Sequence, residues 1–243
     1  MFEPAAATAY AGAVARDGFA VVEGVIGAEA VGRLAEELEG LEAAGAASRR
    51  AGRAYAVRNL LNVLPSAREL ADGARLRSLV EPILGEGAAV VRGILFDKRE
   101  GANWKVAWHQ DLTIAVRERR EAEGFGPWSL KAGVQHVQPP AGVLEGMLAL
   151  RVHLDDADET NGALRVVPGS HTRGRLSAAD IRAFRERGAA VTCRVRAGGV
   201  MLMKPLLLHA SSAATRPSRR RVLHFEYSAS RLPGGLAWYD APL

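Results

Sequence analysis

The stretch Ala89-Val90-Val91-Arg92-Gly93-Ile94-Leu95-Phe96 marks the point at which the chain changes its period. Before it, apolar residues recur at steps of three and four. From here on they come in short runs bounded by turn residues. Upstream, Phe19-Ala20-Val21-Val22 reads as a short strand, and Val31, Leu34, Leu38 and Leu41 form the apolar stripe of a helix whose other face is rich in glutamate. A second helix is expected from about Ser66 to Gly85, with Leu70, Leu76, Leu79, Val80, Ile83 and Leu84 on one side. Downstream, β-rich runs at 147–154, 163–167, 191–196, 199–203 and 221–229 are separated by Asn161-Gly162, Pro168-Gly169-Ser170 and Gly198-Gly199. Helices followed by many short strands predict a β-sandwich or jelly roll that carries helices on one face.

The 243 residues, 48% hydrophobic and 24% charged, exclude a disordered chain and leave room for one substantial core. No repeat, low-complexity tract or linker divides them, so a single domain over 1–243 is expected, with 1–87 a mostly helical support and 88–230 the strand core. One interruption stands out. Between about 117 and 145 the chain turns polar, with Arg117-Glu118-Arg119-Arg120-Glu121, then Gly124-Phe125-Gly126-Pro127-Trp128 and Gln138-Pro139-Pro140. So long a stretch without periodicity inside a compact domain reads as an ordered lid.

Basic residues number 32 against 27 acids, a formal charge of +5, and only Lys98, Lys105, Lys131 and Lys204 among them are lysine. Beside the many alanines, that skew to arginine reads as the codon usage of a GC-rich genome. No basic stripe is interleaved with aromatics, so no nucleic-acid partner is expected. The one cysteine, Cys193, can form neither an intrachain disulfide nor a thiolate zinc cage. The N-terminal residues lack a basic, then apolar, leader pattern, and no run approaches the ~18 apolar residues of a membrane span. A cytoplasmic protein with no membrane partner is the expectation.

Six histidines are present: His109, His136, His153, His171, His209 and His224. In Trp108-His109-Gln110-Asp111, an extended backbone would send residues two apart to the same side, roughly 6–7 Å between α-carbons, so that imidazole and carboxylate can close on one ion. A histidine from a distant strand would complete the two-histidine, one-carboxylate arrangement that holds non-haem Fe(II) with positions left open. His153-Leu154-Asp155 has the same spacing, and spacing alone leaves both pairs open. Leu206-Leu207-Leu208 delivers His209 to a strand end, and the chain returns through Arg219-Arg220-Arg221-Val222-Leu223-His224-Phe225. Such a hairpin can bring an arginine back beside the histidine, as needed when a dicarboxylate chelates iron at one end and meets a guanidinium at the other.

Several pieces in order carry a family resemblance: Asp17-Gly18-Phe19-Ala20-Val21-Val22, Phe96-Asp97-Lys98, Asn103-Trp104, Trp108-His109-Gln110-Asp111, Arg151 to Asp156, Asn161-Gly162-Ala163-Leu164, Pro168-Gly169-Ser170-His171, and His209 followed by arginines. Together they resemble the phytanoyl-CoA dioxygenase family of Fe(II)- and 2-oxoglutarate-dependent oxygenases. The resemblance implies a double-stranded β-helix, the cupin-like jelly roll, with O2 and 2-oxoglutarate as co-substrates. It implies His109, Asp111 and His209 as the catalytic metal ligands, and His153-Asp155 as a structural strand-to-turn element. The arginine that pairs with 2-oxoglutarate falls on Arg220, with Arg219 and Arg221 as solvated charges on the other face. Ser211 and Trp128 match positions near the co-substrate.

Halogenases related to this family lack the carboxylate ligand, so Asp111 implies hydroxylation, or a related oxidation, of a small organic molecule. Two other readings stand beside it: a jelly-roll binding protein without catalysis, and a metal-dependent cupin enzyme that uses no 2-oxoglutarate. Among the remaining polar residues, His171 and His224 are expected to be structural and Arg92 and Lys98 to be solvated, with an Arg92 turned inward toward substrate or co-substrate as the alternative, and His136 to be a lid residue that could meet substrate.

Overall fold

In the computed structural model, which describes residues 4–43, 49–50, 54–99, 103–187, 190–216 and 218–241, the chain starts with helix α1 (Pro4–Asp17), strand β1 (Phe19–Val22) and helix α2 (Ala28–Ala43). Strands β2 (Arg49–Arg50) and β3 (Ala54–Val57) lead into α3 (Leu60–Val63), α4 (Pro65–Asp72) and α5 (Ala74–Leu84). The long strand β4 (Ala89–Lys98) follows, then β5 (Val106–His109), β6 (Ile114–Val116), β7 (Trp128–Lys131), β8 (Val134–Val137) and α6 (Ala141–Glu145). The last part runs β9 (Met147–His153), β10 (Leu164–Val166), α7 (Ala178–Glu186), β11 (Val191–Thr192), β12 (Val200–Met203), β13 (His209–Ser211) and β14 (Arg220–Ser228).

Antiparallel pairing assembles three sheets. The largest has seven strands in the order β1-β12-β9-β14-β4-β3-β2, the second four in the order β11-β10-β13-β5, and the third is β6-β8-β7. This is the helix-backed jelly roll that the pattern predicts. Side-chain alternation divides the large sheet into two faces. Leu95, Leu150, Val152, Leu223 and Phe225 point outward and bury themselves against Leu38, Leu60, Leu76 and Leu79 of the helical layer. The other face is polar. Arg92, Ile94, Phe96 and Lys98 of β4 stand opposite Glu226, His224, Val222 and Arg220 of β14, and β9 adds Arg151 and His153 opposite His224 and Val222.

Two elements differ from the sequence expectation. The helix expected over 66–85 is two helices, because Gly73 adopts an extended conformation (φ −71°, ψ 150°) between α4 and α5. The polar stretch 117–145 contains β7, β8 and α6, and with β6 it builds the third sheet around Ile114, Val116, Phe125, Val137 and Leu144. Strands of three or four residues are too short to leave a period-2 signature. Among the described residues no helix is long and apolar enough to cross a membrane.

Phe225 has no exposed surface and lies at the centre of the seam between sheet and helices, whereas Leu130 is 64% exposed. Phe225→Ala is expected to cost about 3–5 kcal/mol in chemical denaturation, and Leu130→Ala to stay within ~0.5 kcal/mol of the parent.

Candidate metal centre

Antiparallel pairing of β13 with β5 sets His209 directly opposite His109, and the ring centroids are 4.2 Å apart. Each imidazole is oriented by its own strand. His109 Nδ1 lies 2.8 Å from the Ala107 carbonyl oxygen, and His209 Nδ1 lies 2.8 Å from that of Leu207. A carbonyl can only accept, so both rings carry their proton on Nδ1 and turn a bare Nε2 lone pair inward. Asp111 completes the group, with Oδ1 3.7 Å from His109 Nε2 and Oδ2 3.7 Å from His209 Nε2. These separations are too long for hydrogen bonds. The three ligand atoms lie within 4.8 Å of one another, a spread that could hold one metal ion.

Gln110, between the two ligands, is a feature that sequence reasoning passed over. Its buried amide donates to the carbonyls of Gly174 (2.8 Å) and Leu206 (2.7 Å), and its oxygen accepts from the Leu176 amide at 2.8 Å. The Asp111 amide donates to Pro205 O at 2.9 Å. The turn that presents Asp111 is thereby tied to the chain entering β13. Burial pushes His209 down to about 4, so its ring is neutral and able to ligate at neutral pH. Burial alone would raise Asp111, but His209, His224, His109 and Arg151 outweigh it and hold the carboxyl below its usual range.

The three ligands open into a cavity of about 220 Å3 whose wall includes Phe96, Trp104, Arg151, Ser211, Arg220 and His224. Arg220 is 3% exposed, and its Nε and Nη1 have no hydrogen-bond partner. Burial, then repulsion from Arg151, lowers its pKa to about 10. Arg219 and Arg221 are engaged elsewhere. Arg219 Nη2 lies 2.9 Å from Asp97 Oδ2, and Arg221 grips Asp155 through Nε (2.9 Å) and Nη2 (2.7 Å). They are therefore ion-paired rather than simply solvated, and Asp155 is spent on Arg221. Among the described residues His153 and Asp155 join no metal-binding group.

Lys98 and Arg92, expected at the surface, both face inward. Lys98 Nζ donates to Ser211 Oγ (3.0 Å) and to Ser212 O (2.6 Å), and Ser211 Oγ donates to Gly162 O (2.7 Å). Gly162 has φ +78°, and a Cβ there would stand 2.4 Å from Ser212 O and 2.7 Å from Lys98 Nζ, so this corner needs glycine. Burial and then Arg220 push the Lys98 amine down to about 8. Arg92 Nη1 donates to Glu226 Oε1 at 3.2 Å, His224 Nε2 is 3.4 Å from the same oxygen, and Arg151 Nη1 lies 3.2 Å from His224 Nδ1. An arginine can only donate, so His224 accepts at Nδ1 and carries its proton on Nε2 toward Glu226. His224 thus lines the cavity instead of filling a core.

Trp128 lies away from this wall, packed in the apolar cluster of the third sheet with the Arg119 guanidinium 5.6 Å from its ring centroid. His136 is 1% exposed, with Nδ1 bonded to Val134 O, and is not among the residues of the cavity wall. His171 Nε2 meets Ala15 O at 3.2 Å, a structural contact to α1.

The chain belongs to the phytanoyl-CoA dioxygenase (PhyH) family, whose model matches residues 14–222. Among solved structures it resembles SnoN, described as a non-haem alpha-ketoglutarate-dependent epimerase from nogalamycin biosynthesis, with 22% identity and a TM-score of 0.71 over 96% of this chain and 92% of that one. It also resembles AviO1 from Streptomyces viridochromogenes Tue57 (25% identity, TM-score 0.65, 93% and 95% covered). A third is HygX from Streptomyces hygroscopicus, solved with nickel and 2-oxoglutarate (20% identity, TM-score 0.64, 88% and 84% covered). Among curated protein sequences none matches this chain.

The geometry generates two expectations. In calorimetric titration with Ni(II), the native protein should bind one ion, His109→Ala and Asp111→Ala should lose it, and Asp155→Ala should retain it. The second concerns acid. Burial, and then Arg92, push His136 from 6.5 down to about 4, so between those values the unfolded chain binds a proton that the folded chain refuses. Its contribution is intact above pH 6.5 and is lost as pH falls toward 4. The denaturation midpoint should drop over that window, and less steeply in His136→Phe.

Proposed function

We propose that the protein is an Fe(II)- and 2-oxoglutarate-dependent dioxygenase that hydroxylates a small organic molecule, with His109, Asp111 and His209 holding the metal. Arg220 carries the reading. A buried guanidinium with two unsatisfied N–H groups is costly unless an anion meets it. The dicarboxylate co-substrate supplies that anion, and Arg presents a fixed fork to its distal carboxylate. An orphaned inward arginine counts against a cupin that uses no dicarboxylate, and the Nδ1-anchored histidines beside Asp111 count against a site kept only for binding.

Bound Fe(II) with 2-oxoglutarate would supply the oxidising power, drawing on O2 and releasing succinate and CO2. The chain's own work is placement. Leu207 O and Ala107 O hold the two rings in the tautomer that ligates, and Gln110 steadies the turn between the ligands. Ser211 lines the wall with Arg220, and Lys98 holds its hydroxyl in place from behind. Ile94, Phe96, Val106 and Leu164 line the same cavity and limit water around the reacting atoms. Asp111 would supply the ligand that a halide replaces in halogenases, which supports hydroxylation over halogenation. SnoN is described as an epimerase and SnoK as a carbocyclase, so product analysis by mass is the check on the reaction outcome.

In the Ni(II)-loaded protein, 2-oxoglutarate should bind with at least about tenfold lower affinity after Arg220→Leu. Arg221→Leu should leave that affinity unchanged. Equal affinities for native protein and Arg220→Leu would remove the reading.

A further inference from the structure

Beyond the co-substrate end, the cavity has a second cationic end that the proposed chemistry leaves unused. Arg92 lies six residues before Lys98 on β4, and Glu226 six residues after Arg220 on β14. At ~3.3 Å per residue this places the two ends about 20 Å apart along the strands. Arg151 and His224 stand at the middle of that row, and both act on Asp111 of the metal group. At the far end Lys131, carried on β7 of the small sheet, and Arg58 join Arg92 in the wall of the same cavity.

Charge accounting shows what is missing there. Setting Arg58 aside, the described wall carries Arg92, Lys131, Arg151 and Arg220 against only Asp111 and Glu226. Fe(II) and a 2-oxoglutarate dianion cancel one another, so loading the site leaves this surplus in place. Arg220 meets the co-substrate, Arg151 faces Asp111, and Arg92 shares Glu226 with His224. Among the described residues Lys131 hydrogen-bonds to a hydroxyl, Thr113 Oγ1 at 3.3 Å, and makes no close ion pair with a carboxylate. Burial lowers its pKa, and so do Arg92 and Arg58, and the more weakly felt Asp111 and Glu226 do not offset them. A partly buried ammonium held beside other cations favours a negatively charged ligand group.

Resting on the 2-oxoglutarate reading, we infer that the substrate itself carries an oxyanion, a carboxylate or a phosphate, which Lys131 and Arg92 receive while its remaining part reaches back over the metal. The two ends then sort two anions by position. The co-substrate is held at the Arg220 end and the substrate at the Lys131 end, with the oxidised carbon between them.

The test titrates benzoate, phenyl phosphate and neutral benzyl alcohol into protein loaded with Ni(II) and 2-oxoglutarate. At least one oxyanion should bind and the alcohol should not; which oxyanion binds more tightly tells carboxylate from phosphate. Lys131→Gln, on an accessible hairpin, should weaken that binding about tenfold or more while 2-oxoglutarate affinity stays at the native value. Failure of both anions to bind, native-like anion affinity in Lys131→Gln, or displacement of 2-oxoglutarate by the anion would overturn the inference. The same titration on Arg220→Leu without co-substrate separates it from the reading on which it rests. Lys131-dependent anion binding there supports the second end even if 2-oxoglutarate never binds, and its absence there contradicts it.

Discussion

The pairing of β13 with β5 is the constraint on which the rest of the site depends. It sets His209 opposite His109, brings Asp111 within reach of both, and fixes which nitrogen of each ring faces inward. A slip of one residue in this pairing would turn His209 to the opposite face from His109 and Asp111 and break up the group. The register is secured outside the site. Gln110 ties the β5 end to Leu206 O and Gly174 O, and the Leu208 amide donates to Ser170 Oγ at 2.8 Å. Metal geometry therefore rests on main-chain pairing and buried amides, which move less than surface side chains do.

The large sheet meets an opposite demand. Its outer face is closed by the helical layer, which leaves the inner face free to be polar. Arginines on that face are costly to bury, and the fold answers the cost in two ways. Some cations have partners within the chain, as with Arg92 on Glu226. Arg220 has no hydrogen-bond partner for its Nε and Nη1 among the described residues. An unpaired buried cation destabilises the empty protein and is best understood as a site that awaits an anion.

Much of this was legible in the sequence, and what was not has identifiable causes. The change of period at Ala89, the helix stripe over Val31–Leu41 and the turn glycines led to the jelly roll, because long periodic segments carry their own signal. The small third sheet escaped because its strands are short and its buried residues are spaced among charges. The family's spacing from the second histidine pointed to Arg220 as the inward arginine, and strand alternation then set Arg219 and Arg221 on the other face. For Arg92 an inward orientation was one reading of the sequence, but exposure is the usual fate of such residues and it was the expectation for Arg92 and Lys98 alike. Trp128 matched a position of the family without reaching the cavity. Gln110 gave no sign, since its role lies in two distant carbonyls and an amide that only the folded chain assembles.

The net charge of +5 acquires a location in this account, for a disproportionate part of the cationic surplus lines one cavity instead of the surface. The central claim is that this cavity joins a metal held by His109, Asp111 and His209 to a dicarboxylate held by Arg220. Anaerobic addition of Fe(II) and then 2-oxoglutarate, followed by visible absorption, tests it most directly. The account predicts a charge-transfer band of the chelate in the native protein and none in Asp111→Ala. No band in the native protein, or an undiminished band in Asp111→Ala, would contradict it.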